Sequence, residues 1–192
     1  MGAYEAVVIG TSAGGTAAVA ALIPALPAGY ALPIVIVQHV HPLQGSAAIV
    51  HYNDRYPLII KDAEQGEPIK AGYVYFAPAN YHLLIENDRT FSLSIDAKVN
   101  YARPSMDVLF ESAADAYGPH LIGVVLTGAN SDGAQGLREI KERGGLTVVQ
   151  DPVTAEASFM PQAAIAATEV DYVLPLHEIG ALLAALGKER SA

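Results

Sequence analysis

Apolar positions along the chain fall into two alternating patterns. Short unbroken runs, rich in β-branched residues, occupy 6–9 (A-V-V-I), 33–37 (P-I-V-I-V), 121–126 (L-I-G-V-V-L) and 146–149 (L-T-V-V). Such runs predict strands buried on both faces. Between them apolar residues recur every three or four positions. Val19, Leu22, Ile23 and Leu26 make one such stripe, Met106, Leu109, Phe110 and Ala113 a second, and Ile179, Leu182, Leu183 and Leu186 a third. Each predicts an amphipathic helix, and Pro24 should end the regular part of the first. Helices are also expected over 46–56, 133–143 and 161–167, with Gly144 as a C-terminal cap, and short strands at 58–61 and 172–174. The middle of the chain differs. Segments 73–77, 82–86 and 91–95 are strand-like and are divided by Pro78-Ala79-Asn80 and Glu86-Asn87-Asp88. They predict antiparallel hairpins set into an otherwise alternating α/β chain. The expected fold is a three-layer α/β domain with a doubly wound, mostly parallel, Rossmann-like sheet, spanning 1–192 as one unit.

Composition narrows the function. Of the 192 residues 52% are hydrophobic and 16% charged, enough apolar material for a large core. The net charge of −9 makes the chain a poor binder of nucleic acid, which needs a basic footprint. With no cysteine, thiol catalysis, disulfides and Cys-ligated zinc are excluded. No leader pattern and no apolar run near the ~20 residues of a bilayer span are evident, so a cytoplasmic protein not inserted in membranes is expected.

In an open parallel sheet, sites form beyond the carboxyl ends of the strands. The first strand ends in Gly10-Thr11-Ser12-Ala13-Gly14, which fits G-x-S-x-G between a strand and a helix. Ser12 could be a nucleophile there, with the Ala13 N–H as an oxyanion donor. The same glycines could instead cradle a phosphate, but they fit neither G-x-G-x-x-G nor a lysine-bearing phosphate loop. The second strand ends in Gln38-His39, with His41 nearby, and the strand at 121–126 runs into Thr127-Gly128-Ala129-Asn130-Ser131-Asp132-Gly133. Asp132 could orient a histidine base or cap the helix that follows it. Asp151, after the strand at 146–149, is an equally placed rival. The residues alone thus lead to Ser12, His39 or His41, and Asp132 or Asp151. A metal held by the two histidines and a carboxylate has no supporting ligand spacing.

Six segments in order resemble the catalytic domain of the bacterial chemotaxis protein-glutamate methylesterases, the CheB family. They are I-G-T-S-A-G-G (9–15), V-Q-H-V-H-P (37–42), F-A-P-A-N-Y-H (76–82), R-P-S-M-D-V-L-F (103–110), L-T-G-A-N-S-D-G-A-Q-G-L (126–137) and the D-P…F-M-P-Q-A-A-I tail (151–165). The resemblance implies a Ser-His-Asp triad of Ser12, His39 and Asp132. It implies hydrolysis of γ-glutamyl methyl esters on the cytoplasmic helices of chemoreceptors, with deamidation of receptor glutamines as a secondary activity and no cofactor or metal. Two departures stand out: Ala13 where threonine often follows the serine, and Ala129-Asn130 where many members have methionine-glycine. The family's usual N-terminal receiver domain has no counterpart in these residues, so the chain is expected to be a stand-alone enzyme or a piece of a longer one. Two other classes remain in view, a nucleotide- or phosphate-binding module and a non-catalytic signalling adaptor.

Overall fold

The structure is a computed structural model that describes residues 4–39, 56 and 58–188. The predicted helix at 46–56 and His41 fall outside the described residues, apart from Tyr56.

Seven parallel strands form the central sheet. In chain order they are β1 (Ala6–Thr11), β2 (Ile34–Gln38), β3 (Ile59–Asp62), β4 (Tyr73–Phe76), then β7 (Leu121–Val125), β8 (Leu146–Gln150) and β9 (Tyr172–Leu174). Their order across the sheet is β3-β4-β2-β1-β7-β8-β9. The two central strands are wholly buried because both of their faces are covered. Alternate residues of β1 enter different cores. Val7 and Ile9 join Val19 and Leu22 of α1 (Gly15–Leu22) and Ile179 and Leu183 of α5 (Leu176–Leu186). Ala6 and Val8 join a second core with Leu109 and Phe110 of α2 (Met106–Tyr117), Leu137 of α3 (Ala134–Glu142) and Met160 of α4 (Phe159–Ala167). The side-chain period of two along a strand thus divides one apolar run between two helical layers.

The helix stripes read from the sequence fall on these faces. Pro24 does end α1, which passes into a 3-10 turn at Ile23–Ala25. Gly144 takes a left-handed φ of 82° after α3, with Gly144 N–H on the Lys141 carbonyl (3.0 Å) and Gly145 N–H on that of Ile140 (2.9 Å). That pair of bonds is a Schellman cap.

One expectation is corrected. Segment 73–77 belongs to no hairpin: β4 lies inside the main sheet, parallel to β2 (Ile34↔Val74) and β3 (Ile60↔Val74). A four-residue strand carries no mark of its partner's direction, and β4 pairs with the two strands that precede it rather than with β5. The antiparallel element is the single hairpin of β5 (His82–Ile85) and β6 (Phe91–Ser94). It rests on α2, where the Ser112 hydroxyl accepts the Ile85 N–H at 3.1 Å.

Helices α2 and α3 cross closely at Gly136, where a Cβ would stand 2.5 Å from Phe110 Cβ. This contact holds together the N-terminal ends of both helices. The site lies there because β1 leads outward to β2 while its neighbour β7 leads the other way to β8. Diverging connections open a crevice at the carboxyl ends of adjacent strands.

Candidate active site

The end of β1 is tied to both neighbours. The Thr11 carbonyl accepts the His39 N–H (3.0 Å), and the Ser12 N–H donates to the Thr127 carbonyl (3.0 Å). A turn closed by Gly15 N–H on the Ser12 carbonyl (2.8 Å), with Gly14 at φ 78°, delivers the chain into α1. Ser12 is half-buried and Ala13 exposed. Among the described residues, the Ser12 hydroxyl makes no hydrogen bond and the Ala13 N–H meets no acceptor. Both lie just before the start of α1, where an anionic oxygen is favoured.

Thr127 ties this turn to the chain after β8. Its hydroxyl donates to the Ala13 carbonyl and accepts from the Ala157 N–H, each at 2.9 Å, while its own N–H donates to Gln150 Oε1 (2.9 Å). Thr127→Val keeps the shape and loses both hydroxyl bonds. It should cost about 1–3 kcal/mol of stability, read by urea unfolding. Misplacement of the Ser12 turn should also slow ester turnover roughly ten- to hundredfold. Turnover equal to wild type would show that the tether does not position Ser12.

Asp132 is fully buried and satisfies many donors. Oδ1 accepts from Ser105 Oγ (2.7 Å), Asn100 Nδ2 (3.1 Å) and the Asp107 N–H (3.2 Å). Oδ2 accepts from the Met106 N–H (2.7 Å) and stands 3.0 Å from His39 Nε2. The His39 contact has ion-pair distance but lacks the angles of a standard hydrogen bond. Burial pushes the Asp132 carboxyl up, but the contact with His39 and the bonds from Met106, Asn100 and Ser105 outweigh it and hold it below its ordinary value. Asp132 is therefore an anion facing the imidazole.

The alternative role considered for Asp132, capping the helix that follows it, is corrected. Asp132 instead accepts the first free N–H groups of α2, from Met106 and Asp107. Asp107 of α2 in turn accepts the Gly133 (3.0 Å) and Gly136 (2.7 Å) N–H groups at the start of α3. Each helix is capped by a carboxylate of the other, and Asn100 Nδ2 bridges the two, at 2.7 Å from Asp107 Oδ2. Burial, together with the charge of Asp132, raises the Asp107 carboxyl despite its backbone hydrogen bonds. Ser105, placed in sequence as an N-cap of α2, gives its hydroxyl to Asp132 instead. Behind it, His82 Nδ1 accepts the Ser105 N–H (3.2 Å), which fixes Nε2 as the donor to the Ala97 carbonyl (3.0 Å).

Of the predicted residues, the structure pairs His39 with Asp132 and sets Ser12 on the adjoining strand end. Asp151 is elsewhere engaged: its carboxylate accepts the Val153 N–H (3.0 Å) within a turn. The sequence reading passed over Asn100, Ser105, Asp107 and Thr127 as site residues, and gave Asn130 only as a departure. Asn130 Nδ2 lies 3.1 Å from His39 Nδ1. Among the described residues no cluster of three or more His, Asp or Glu could hold a metal, and no helix is long and apolar enough to cross a membrane.

The geometry is that of a buried carboxylate and a histidine beside an unpaired serine at a strand–helix turn. The CheB methylesterase family profile matches residues 7–183. The chain belongs to the CheB methylesterase family. A protein of Leptospira interrogans is 57% identical over 179 residues, covering 93% of both chains. Two proteins named protein-glutamate methylesterase/protein-glutamine glutaminase, from Nocardioides sp. and Thermotoga maritima, are 39% and 37% identical over 99% and 90% of this chain. The chain spans about half of each, 53% and 51%. The crystal structure of the Thermotoga maritima CheB methylesterase catalytic domain superposes with a TM-score of 0.91 at 36% identity, over 96% of this chain and all of that one. The mostly parallel α/β sheet is thus the CheB methylesterase fold.

Proposed function

We propose that this domain is a serine hydrolase that removes methyl groups from γ-glutamyl methyl esters on the cytoplasmic helices of chemoreceptors, and that it also deamidates receptor glutamines. The observation that carries this reading is the His39–Asp132 pair next to an unbonded Ser12 hydroxyl at the sheet's switch point. Ser12 Oγ attacks the ester carbonyl and its proton passes to His39. The N–H of Ala13 meets the developing oxyanion. Methanol leaves with the proton held by His39, giving an acyl-serine. Water, deprotonated by His39, then releases glutamate and restores Ser12. Asp132 stays ionised and stabilises the imidazolium.

The phosphate-binding alternative is disfavoured by charge. A Cβ at Gly14 would stand 2.9 Å from Glu156 Oε2, so a carboxylate already leans on the turn that would hold the anion. The test is methanol release from methyl-esterified receptor membranes by the purified chain across the histidine titration range. Release should fall in acid as the base is protonated. No release at any pH, with saturable nucleotide binding instead, would overturn the proposal.

A further inference from the structure

Asn130 occupies the nitrogen of His39 that catalysis needs. Its Oδ1 accepts the Asp132 N–H at 3.0 Å. A backbone N–H can only donate, so the orientation of the amide is fixed and Nδ2 is the atom facing the ring. Nδ2 lies 3.1 Å from His39 Nδ1 and can only donate as well. Nδ1 must therefore present its lone pair, and in the neutral ring the proton sits on Nε2. Independently, Nε2 faces the Asp132 carboxylate at 3.0 Å, where a lone pair would be repelled. Two neighbours on opposite sides of the imidazole dictate one tautomer.

In the familiar triad Nδ1 faces the carboxylate and Nε2 serves the serine. Here those positions are exchanged, and the lone pair that must take the Ser12 proton is already shared with Asn130. The Ser12 hydroxyl accordingly makes no hydrogen bond among the described residues. We propose that Asn130 is a positioning residue that caps the basic nitrogen of His39 in the resting enzyme, and that Nδ1 is released to Ser12 when Asn130 gives way. In the step that follows, the Oγ–H proton moves to Nδ1, Oγ forms its bond to the carbonyl carbon, and the imidazolium keeps its Nε2–H toward Asp132. The cap holds the base in the correct tautomer and keeps the serine weakly nucleophilic until the site is occupied. This inference rests on the Ser12–His39–Asp132 reading above.

The experiment uses the purified chain, a small fluorophosphonate that labels activated serines, and 15N NMR of the histidine ring. Wild-type His39 should show Nδ1 as the unprotonated nitrogen at neutral pH; a ring with its proton on Nδ1 would overturn the proposal whatever the variants do. Asn130→Ala should label about two- to tenfold faster, the range expected for loss of one neutral hydrogen bond, with His39 now populating both tautomers. Asn130→Asp keeps the acceptor for the Asp132 N–H but offers Nδ1 a carboxylate, which favours a proton there. It should label more slowly than wild type, a reversal that a purely structural role in the loop would not produce. Asn130→Ala labelling no faster than wild type, or Asn130→Asp as fast as Asn130→Ala, would sink the inference. Ser12→Ala separates the two readings. Undiminished labelling of that variant defeats the hydrolase mechanism itself, whereas labelling that depends on Ser12 and is indifferent to residue 130 defeats only the cap.

Discussion

Ser12→Ala is expected to lower methanol release roughly ten thousand- to a millionfold while leaving the unfolding midpoint unchanged. The rate loss follows from the loss of the atom that forms the acyl intermediate. The unchanged stability follows from the structure. The hydroxyl makes no hydrogen bond among the described residues, so alanine removes no internal bond. What holds this turn is main chain, the Ser12 N–H on Thr127 and the Gly15 N–H on Ser12, and both survive the substitution. Methanol release from methylated receptor membranes and urea unfolding, measured on the same preparation, check both halves. Near-wild-type turnover would remove Ser12 from the mechanism. A large stability loss would mean that the hydroxyl is structurally engaged, contrary to the geometry. Thr127→Val is the useful contrast, since it should lower both quantities by losing two bonds behind the same turn.

How far the sequence reached can be seen at particular residues. Strands buried on both faces announce themselves by unbroken apolar runs, so β1, β2, β7 and β8 were legible, and with them the ends that carry Ser12, His39 and the Asp132 loop. The choice of His39 over His41 and of Asp132 over Asp151 came from resemblance rather than spacing, since in the sequence both residues of each pair follow a strand-like apolar run. The position of β4 was not legible, because a four-residue apolar strand does not show whether it pairs with the strands before it or the one after it. Nor was the exchange of caps between α2 and α3. An aspartate before a helix looks like that helix's own cap, and only the crossing at Gly136 brings the start of α2 within reach of Asp132. Asn100 and Ser105 carried no distinguishing signal, and Asn130 showed only as a departure from the family pattern, until the fold aimed them at one carboxylate and one ring.

Asp132→Asn is expected to lower turnover by about ten thousandfold and, unlike the serine variant, to cost several kcal/mol of stability, about 2–5 at neutral pH. Both losses come from the same atoms. The carboxylate faces donors on Ser105, Asn100, Met106, Asp107 and His39, and an amide offers one oxygen and turns its NH2 group against the rest. The imidazolium formed during catalysis loses its counter-charge, and the start of α2 loses its cap. The pH dependence has a definite sign. The folded carboxyl of Asp132 is held below its ordinary value, so its ionisation stabilises the fold above the carboxyl's unfolded pKa. That stabilisation is lost as pH falls through the depressed folded value. The stability gap between wild type and Asp132→Asn should therefore be widest near neutrality and close in acid, as urea unfolding at a series of pH values would show. A gap that persists unchanged in acid would mean that shape rather than charge carries the effect. Asp107→Asn supplies the opposite case. Its carboxyl is raised by burial and by Asp132, so ionising it works against folding, and neutralising it should cost less at neutral pH than neutralising Asp132. Two carboxylates bridged by one asparagine would then differ in both rate and stability, because only Asp132 faces the histidine.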